Sequence, residues 1–243
     1  MNFSQEQLAV RNSNADRIIA LCGPGSGKST VLVARIKRLF AEGADPRQFI
    51  VLSYTQAASR VLQERLGDIR LGVNSTLHAF MLRLLSEHHA LVGLPGTLSV
   101  ADDDATEGLL EGIMSEMGVS GVSTKKVLPL LKMAAYIEPA KSMSRSKVEL
   151  IAIEFHQQLR AGGLLTFDTI LYWGQRVIER MTEWPWTHLW LDEAQDSSEA
   201  DWAIYRAMPC PTVFIVGDPD QRLYTFRGAS AEFEKMAMES KPE

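Results

Sequence analysis

Short apolar runs alternate along this chain with longer stretches in which apolar residues recur every three or four positions. Residues 17–22 (Arg-Ile-Ile-Ala-Leu-Cys) form a continuous apolar run that stops at a Gly/Pro turn, and similar runs recur at 49–53, 187–192 and 211–217. Unbroken apolarity over so few residues suits strands covered on both faces. Between the runs lie helical spacings: Val31, Leu32, Ile36 and Leu39 after the first, and Ala58, Val61, Leu62 and Leu66 after the second. Strand, helix, strand, helix predicts an α/β fold with a parallel, doubly wound sheet. From about residue 93 to 163 the rhythm changes to three amphipathic patterns, near 103–117, 124–137 and 146–161, with little strand signal. That stretch is too long for a connection between a helix and a strand. It reads as a helical insertion subdomain, so the predicted division is a sheet domain from 1–92 and 164–243 and an insertion from 93–163. Trp184, Trp186 and Trp202 sit within apolar patterns and read as core.

Composition narrows the class. With 243 residues and 46% hydrophobic content, the chain can bury one large domain or two small ones, which excludes global disorder, collagen and coiled coil. A net charge of −5 argues against a general coat-binder of polyanions. The charge is uneven, however: residues 1–90 carry 11 basic and 7 acidic side chains, whereas residues 165–243 carry 7 and 14. This leaves room for a basic groove in the first third and gathers acid toward the C-terminal end. The two cysteines, Cys22 and Cys210, lie in apolar stretches, so a disulfide scaffold or zinc module is not expected and the compartment is expected to be reducing. The N-terminus lacks a basic, then apolar leader pattern, and no window approaches the roughly 18 apolar residues of a membrane span. The expectation is a soluble, cytoplasmic protein without a membrane partner.

The sharpest chemical signal is Gly23-Pro24-Gly25-Ser26-Gly27-Lys28-Ser29, set between the first predicted strand and a helix. In that setting glycines let successive backbone N–H groups turn toward one anion, and the helix N-terminus adds partial positive charge. Lys28 would reach the β and γ phosphates of a nucleotide, and the Ser29 hydroxyl would ligate Mg²⁺. The strict pattern has Gly where this chain has Cys22. The alternative is a Gly-rich turn with an incidental lysine.

Asp192-Glu193-Ala194-Gln195-Asp196 follows the predicted strand Leu189-Trp190-Leu191. Carboxylates at a strand's C-terminal end face the ligand side of a doubly wound sheet. Asp192 is placed to hold Mg²⁺, and Glu193 to take a proton from attacking water. The alternative is an acidic start to the helix near Ser197. A third cluster runs from Val216 to Ala229. In it Gln221 could sense a γ-phosphate, while Tyr224, Phe226 and Arg227 offer two π-faces and a guanidinium suited to unpaired bases. Read as core aromatics, Tyr224 and Phe226 would carry no such role.

The order of these motifs resembles the N-terminal ATP-binding portion of the UvrD/Rep/PcrA family of superfamily 1 DNA helicases, over residues 3 to 230. The resemblance implies a RecA-like P-loop NTPase fold, Mg²⁺ and ATP as cofactors, single-stranded DNA as partner, and work in DNA repair or replication. It also assigns further residues. Phe3-Ser4-Gln5-Glu6-Gln7 resembles the Q motif, with Gln7 on the adenine edge; a polar helix start is the alternative. Ser53-Tyr54-Thr55-Gln56-Ala57-Ala58 resembles a DNA-touching motif with Tyr54 as its stacking aromatic and Thr55 beside it. Ser75-Thr76-Leu77-His78 resembles the next such segment, with Thr76 and His78 near the DNA path; a satisfied histidine at a helix start is the alternative for His78. Thr166-Phe167-Asp168 resembles the segment that resumes the sheet domain, or is simply a helix start. Two positions depart from the pattern: Ala57 stands where lysine is frequent, and Thr30, counted with the nucleotide loop, where arginine is frequent.

After Ala229 too few residues remain for a second RecA-like lobe. The expectation is therefore a half-site, with weak ATPase and no unwinding alone, completed by a second motor lobe or a partner protein in trans. Two rivals stand beside it: a non-catalytic module that binds a partner or DNA, and the first lobe of a helicase-nuclease subunit.

Overall fold

The computed structural model describes residues 3–23, 25–133, 137–139 and 145–218, with Asp220, Phe233 and Lys235. In chain order its strands are β1 (Arg17–Leu21), β2 (Phe49–Leu52), β3 (Val73–Ser75), β4 (Ser99–Val100), β5 (Leu164–Leu165), β6 (His188–Leu191) and β7 (Thr212–Gly217). The chain divides into two compact units, Met1–Phe80 with Thr182–Glu243, and Met81–Met181.

The first unit is built on a five-stranded sheet in the order β1-β7-β6-β2-β3, every neighbouring pair parallel. The predicted parallel α/β architecture is thus what forms. All of β2 is buried, which is why its sequence is unbrokenly apolar. Helices α2 (Lys28–Ala41) and α3 (Gln56–Leu66) follow the spacings read from the sequence, and α1 (Gln5–Asn12) precedes them. Leu32 and Ile36 of α2 and Leu62 and Leu66 of α3 close over Phe49, Val51, Trp190, Phe214 and Val216 of the sheet. Each large side chain so buried contributes about 1.5–3 kcal/mol.

Register determines where polar residues emerge. Leu21 pairs with Gly217, and Leu191 pairs with Ile215 and with Leu52. Glu193, two residues past Leu191, therefore leaves the sheet at the level of Gly217 and the end of β1. The backbone N–H of Cys22 donates to Gly217 O at 3.0 Å, and that of Asp192 to Leu52 O at 2.9 Å, which carries the ladder into the connecting loops. Trp186 and Trp202 are buried as expected, whereas Trp184 is half-buried and donates its indole N–H to Cys210 Sγ at 3.3 Å.

The second unit packs helices Asp103–Glu116 and Lys147–Gly162 around Leu110, Ile113, Ile151, Phe155 and Leu159. The middle pattern, expected over 124–137, is broken within its described residues: a turn of helix at Thr124–Val127 is followed by a 3₁₀ turn at Leu130–Lys132. Pro129 lies between them and has no N–H to continue a helix. A two-residue parallel pair, β4 with β5, ties Ser99 and Val100 to Leu164 and Leu165. This unit is wider than 93–163 because helix Phe167–Arg180 joins it: Gly174 lets Met81 approach, Arg180 donates to Leu91 O at 3.0 Å, and Arg160 lies over the Trp173 ring at 4.9 Å. Among the described residues no helix is long and apolar enough to cross a membrane.

Candidate functional site

The Gly-rich loop turns because Gly25 and Gly27 adopt φ of 69° and 76°, a region that side chains other than glycine enter at a cost. Gly27 is the N-cap of α2, and its carbonyl accepts from the N–H groups of Thr30 and Val31 at 2.9 and 3.0 Å. Helix α2 thus starts at Lys28, with the first N–H groups of its opening turn lacking helical acceptors. Gln7 reaches this loop from α1: its Nε2 donates to Ser26 O at 2.7 Å, and its Oε1 accepts from Ser4 N at 2.8 Å in a reciprocal cap. A cavity of about 630 Å³ lies beside the loop, lined by Gln7, Val10, Ile19, Cys22, Ser26 and Val31. Burial pushes the Cys22 thiol above its ordinary pKa, with Ser26 and Lys28 pulling the other way. Pro24 lies outside the described residues.

The two strongest sequence signals meet in space. Lys28 Nζ lies 2.7 Å from Glu193 Oε2 across 165 residues of chain. Glu193 is the one non-glycine residue with positive φ among the described residues, at 56°. Such a conformation costs on the order of 1 kcal/mol or more and is retained where surroundings enforce it. Beside it, Asp192 has its carboxyl raised to about 6, chiefly by burial, next by the Glu193 charge, and against the pull of Lys28. Asp192 Oδ1 is buried without a partner, as are Asp196 Oδ1 and Asp218 Oδ2. Burial also lifts the Asp196 carboxyl, with the Glu193 charge adding to it.

Two members of the cluster were not singled out from sequence. Gln195, 3% exposed, donates through Nε2 to Glu193 Oε2 at 2.8 Å and accepts at Oε1 from Asp218 N at 3.0 Å. It joins the end of β6 to the end of β7. Asp218 is fully buried directly after Gly217. The available signal was position: Gln195 stands four residues past the C-terminal end of the apolar strand β6, and Asp218 one residue past that of β7.

A second face collects the residues expected near DNA. Ser53 N donates to Ser75 O at 3.0 Å, which brings the segments after β2 and β3 together. Tyr54 is 36% exposed there. Thr55 caps α3 by accepting from Ala58 N at 3.1 Å, and Thr76 Oγ1 accepts from Ala79 N at 3.4 Å. His78 is half-buried. Thr76 also lines a cavity of about 480 Å³ with Gln56, Ser59, Arg60, Leu71 and Asn74. Gln221, Tyr224, Phe226 and Arg227 lie outside the described residues.

Comparison with known proteins places the chain in a family. The family model described as UvrD/REP helicase N-terminal domain matches residues 1–241. The ATP-dependent DNA helicase UvrD1 of Mycobacterium tuberculosis is 27% identical over 266 aligned residues, covering 95% of this chain and 34% of that protein. DNA helicase II of Escherichia coli is 26% identical over 257, covering 94% and 34%, and PcrA of Bacillus subtilis is 24% identical over 249, covering 92% and 33%. The chain thus spans about a third of the length of these relatives.

Proposed function

Since the chain belongs to the UvrD/REP helicase N-terminal domain family, we propose that it is the ATP-binding first lobe of a DNA helicase or translocase that moves on single-stranded DNA. The observation that carries the reading is the 2.7 Å pair between Lys28 and Glu193, which joins the loop after β1 to the carboxylates after β6. A loop lysine held on an acid at a strand end is the resting arrangement expected of a nucleotide site. Phosphates arriving on the N–H groups of Gly25, Gly27, Lys28 and Ser29 compete for the Lys28 ammonium. Glu193, relieved of its counter-ion, is then able to accept the proton of an attacking water.

The donor set fits Mg²⁺. Asp192 offers a buried oxygen with no partner of its own, and the Ser29 hydroxyl lies in the first turn of α2. Among the described residues no three His, Cys, Asp or Glu side chains gather into a cage. A Mg²⁺ site completed by nucleotide phosphates needs only one or two carboxylates. The bound ion would neutralise charge on the phosphates, while Ser29 and Asp192 hold it.

In the same reading Gln7 contacts the adenine edge, and Tyr54, Thr55, Thr76 and His78 meet single-stranded DNA, with Tyr54 offering a stacking face. Gln221 would report the γ-phosphate to Tyr224, Phe226 and Arg227. Arginines from a second lobe, in the same polypeptide or in trans, would complete the site, since an arginine finger is worth about 10³–10⁵ in rate. Residues 1–243 alone should therefore hydrolyse ATP slowly and not unwind duplexes. Steady-state hydrolysis with and without single-stranded DNA, beside Lys28→Ala, tests this. Slow, DNA-stimulated turnover lost in Lys28→Ala supports it. Failure to bind Mg·ATP at all would leave a non-catalytic binding module as the better account.

A further inference from the structure

Helix α1 carries Gln7, yet none of its residues is fully buried. Val10 alone among them packs against the sheet core, and only in part. Eight residues with so little apolar contact do not hold a fixed position by burial, since isolated helices of that length are marginal. Their attachment is polar, and most of it comes from one side chain. Arg35 of α2, 2% exposed, donates through Nη1 to Val10 O at 2.9 Å, Arg11 O at 3.3 Å and Ser13 O at 2.6 Å. These carbonyls belong to the last turn of α1 and its cap, where helical partners run out and the helix dipole is negative. The guanidinium is held from beneath by Trp190 and Phe214, 5.8 and 5.7 Å from their ring centroids.

No described carboxylate makes an ion pair with Arg35. Burial pulls its pKa to about 10, with Arg38 lowering it further and Glu42 opposing. A buried cation without a counter-ion is expensive, and an apolar residue of similar size would fill the space at less cost. Val10 lies three residues after Gln7 and so on the same helical face. Fixing the carbonyl end of α1 therefore fixes the direction in which Gln7 points, 2.7 Å from Ser26 O in the nucleotide loop.

We infer that Arg35 is a positioning residue: it anchors α1 through its C-terminal carbonyls and thereby sets Gln7 against the nucleotide loop, so that base discrimination depends on a side chain remote from the base. The inference rests on the proposed adenine contact of Gln7. The test uses Arg35→Met, which keeps volume and removes the donors, with Arg35→Lys as a variant that keeps the charge but not the three-way reach. Two readouts are taken on the full chain: amide hydrogen exchange over residues 9–13 without nucleotide, and the ratio of equilibrium affinities for Mg·ATP and Mg·GTP. Expected are faster exchange in both variants and an ATP preference reduced about tenfold in Arg35→Met, the worth of one well-placed hydrogen bond. Affinity for inorganic pyrophosphate, which lacks a base, should stay unchanged. Wild-type exchange or a wild-type ratio in Arg35→Met, with Gln7→Ala lowering the ratio, overturns the role of Arg35. A wild-type ratio in Gln7→Ala overturns the inference at its premise, through Gln7 and not through the anchor.

Discussion

The two compact units bury polar side chains in opposite ways. In the helical unit His156 is 4% exposed, edge-on to Phe155, and burial drives its pKa down to about 4, so it sits neutral in an apolar core. At the ends of β6 and β7 in the sheet unit, polar groups gather as a set: Gln195 and Asp218 are buried and Asp192, Glu193 and Asp196 half-buried, several carboxylate oxygens lack partners, and one backbone is held left-handed. A neutralised histidine among apolar side chains is a packing solution. Unsatisfied carboxylates beside a strained residue and a lysine cost stability, and a fold keeps them where something else is to be bound.

The sharpest way to break this contrast is Glu193→Gln. If Glu193 is the base, turnover should fall by about 10²–10⁴ while nucleotide affinity is kept. Single-turnover hydrolysis beside equilibrium binding measures both, and unchanged hydrolysis would remove the proposed role. The matching change in the helical unit is Phe155→Ala, fully buried in its core. It should lower stability by about 3–5 kcal/mol in a denaturant titration, yet leave turnover per folded molecule as it was. A change in both quantities from either substitution would show that the two kinds of burial are not separable.

Much of this was legible in the chain because of how each part is encoded. Strands buried on both faces read as unbroken apolar runs, and the loop glycines announce a turn that other residues resist, so β1, β2, β6, β7 and the loop before α2 could be placed from the sequence alone. The helix expected across 124–137 failed at Pro129, where apolar spacing continued but the backbone could not. What escaped was polar burial. Neither Gln195 nor Arg35 differs in sequence from a solvated residue on a helix or loop; only the register of β6 against β7, and the approach of α1 to α2, put them inside. The left-handed backbone of Glu193 has no signature in residue type.

Acid and base should also separate the units. Asp192 is raised from 3.8 to about 6, so the folded chain holds that proton more tightly than the unfolded one. Its protonation favours the fold at low pH, and this contribution is lost as pH rises from about 4 through 6. His156 is lowered from 6.5 to about 4, so the unfolded chain takes the proton first, and stability is lost as pH falls below 6.5 toward 4. Each effect is on the order of 3 kcal/mol at its limit. Melting temperatures between pH 4 and 8 should show Asp192→Asn gaining most at neutral pH and His156→Leu flattening the acid side. The ionised Asp192 needed for Mg²⁺ also predicts that Mg·ATP affinity rises as pH passes 6.

The smallest effect tests the link between the strands. Gln195 gives one hydrogen bond to Glu193 and takes one from the Asp218 backbone, and Gly217 allows it to be there: a Cβ at 217 would stand 2.7 Å from Gln195 Oε1. Gln195→Ala strands a buried N–H and should cost about 1–3 kcal/mol of stability. Gln195→Glu keeps the acceptor for Asp218 but turns a carboxylate toward Glu193. Both variants remove the N–H that steadies the Glu193 carboxylate and Gln195→Glu adds a like charge beside it, so single-turnover hydrolysis should fall in both and further in Gln195→Glu. A structural tie between β6 and β7 would lower stability in both variants and turnover per folded molecule in neither. A loss of turnover that is larger in Gln195→Glu would place Gln195 in the setting of the Glu193 charge, and so on the side of the molecule where buried polarity serves chemistry.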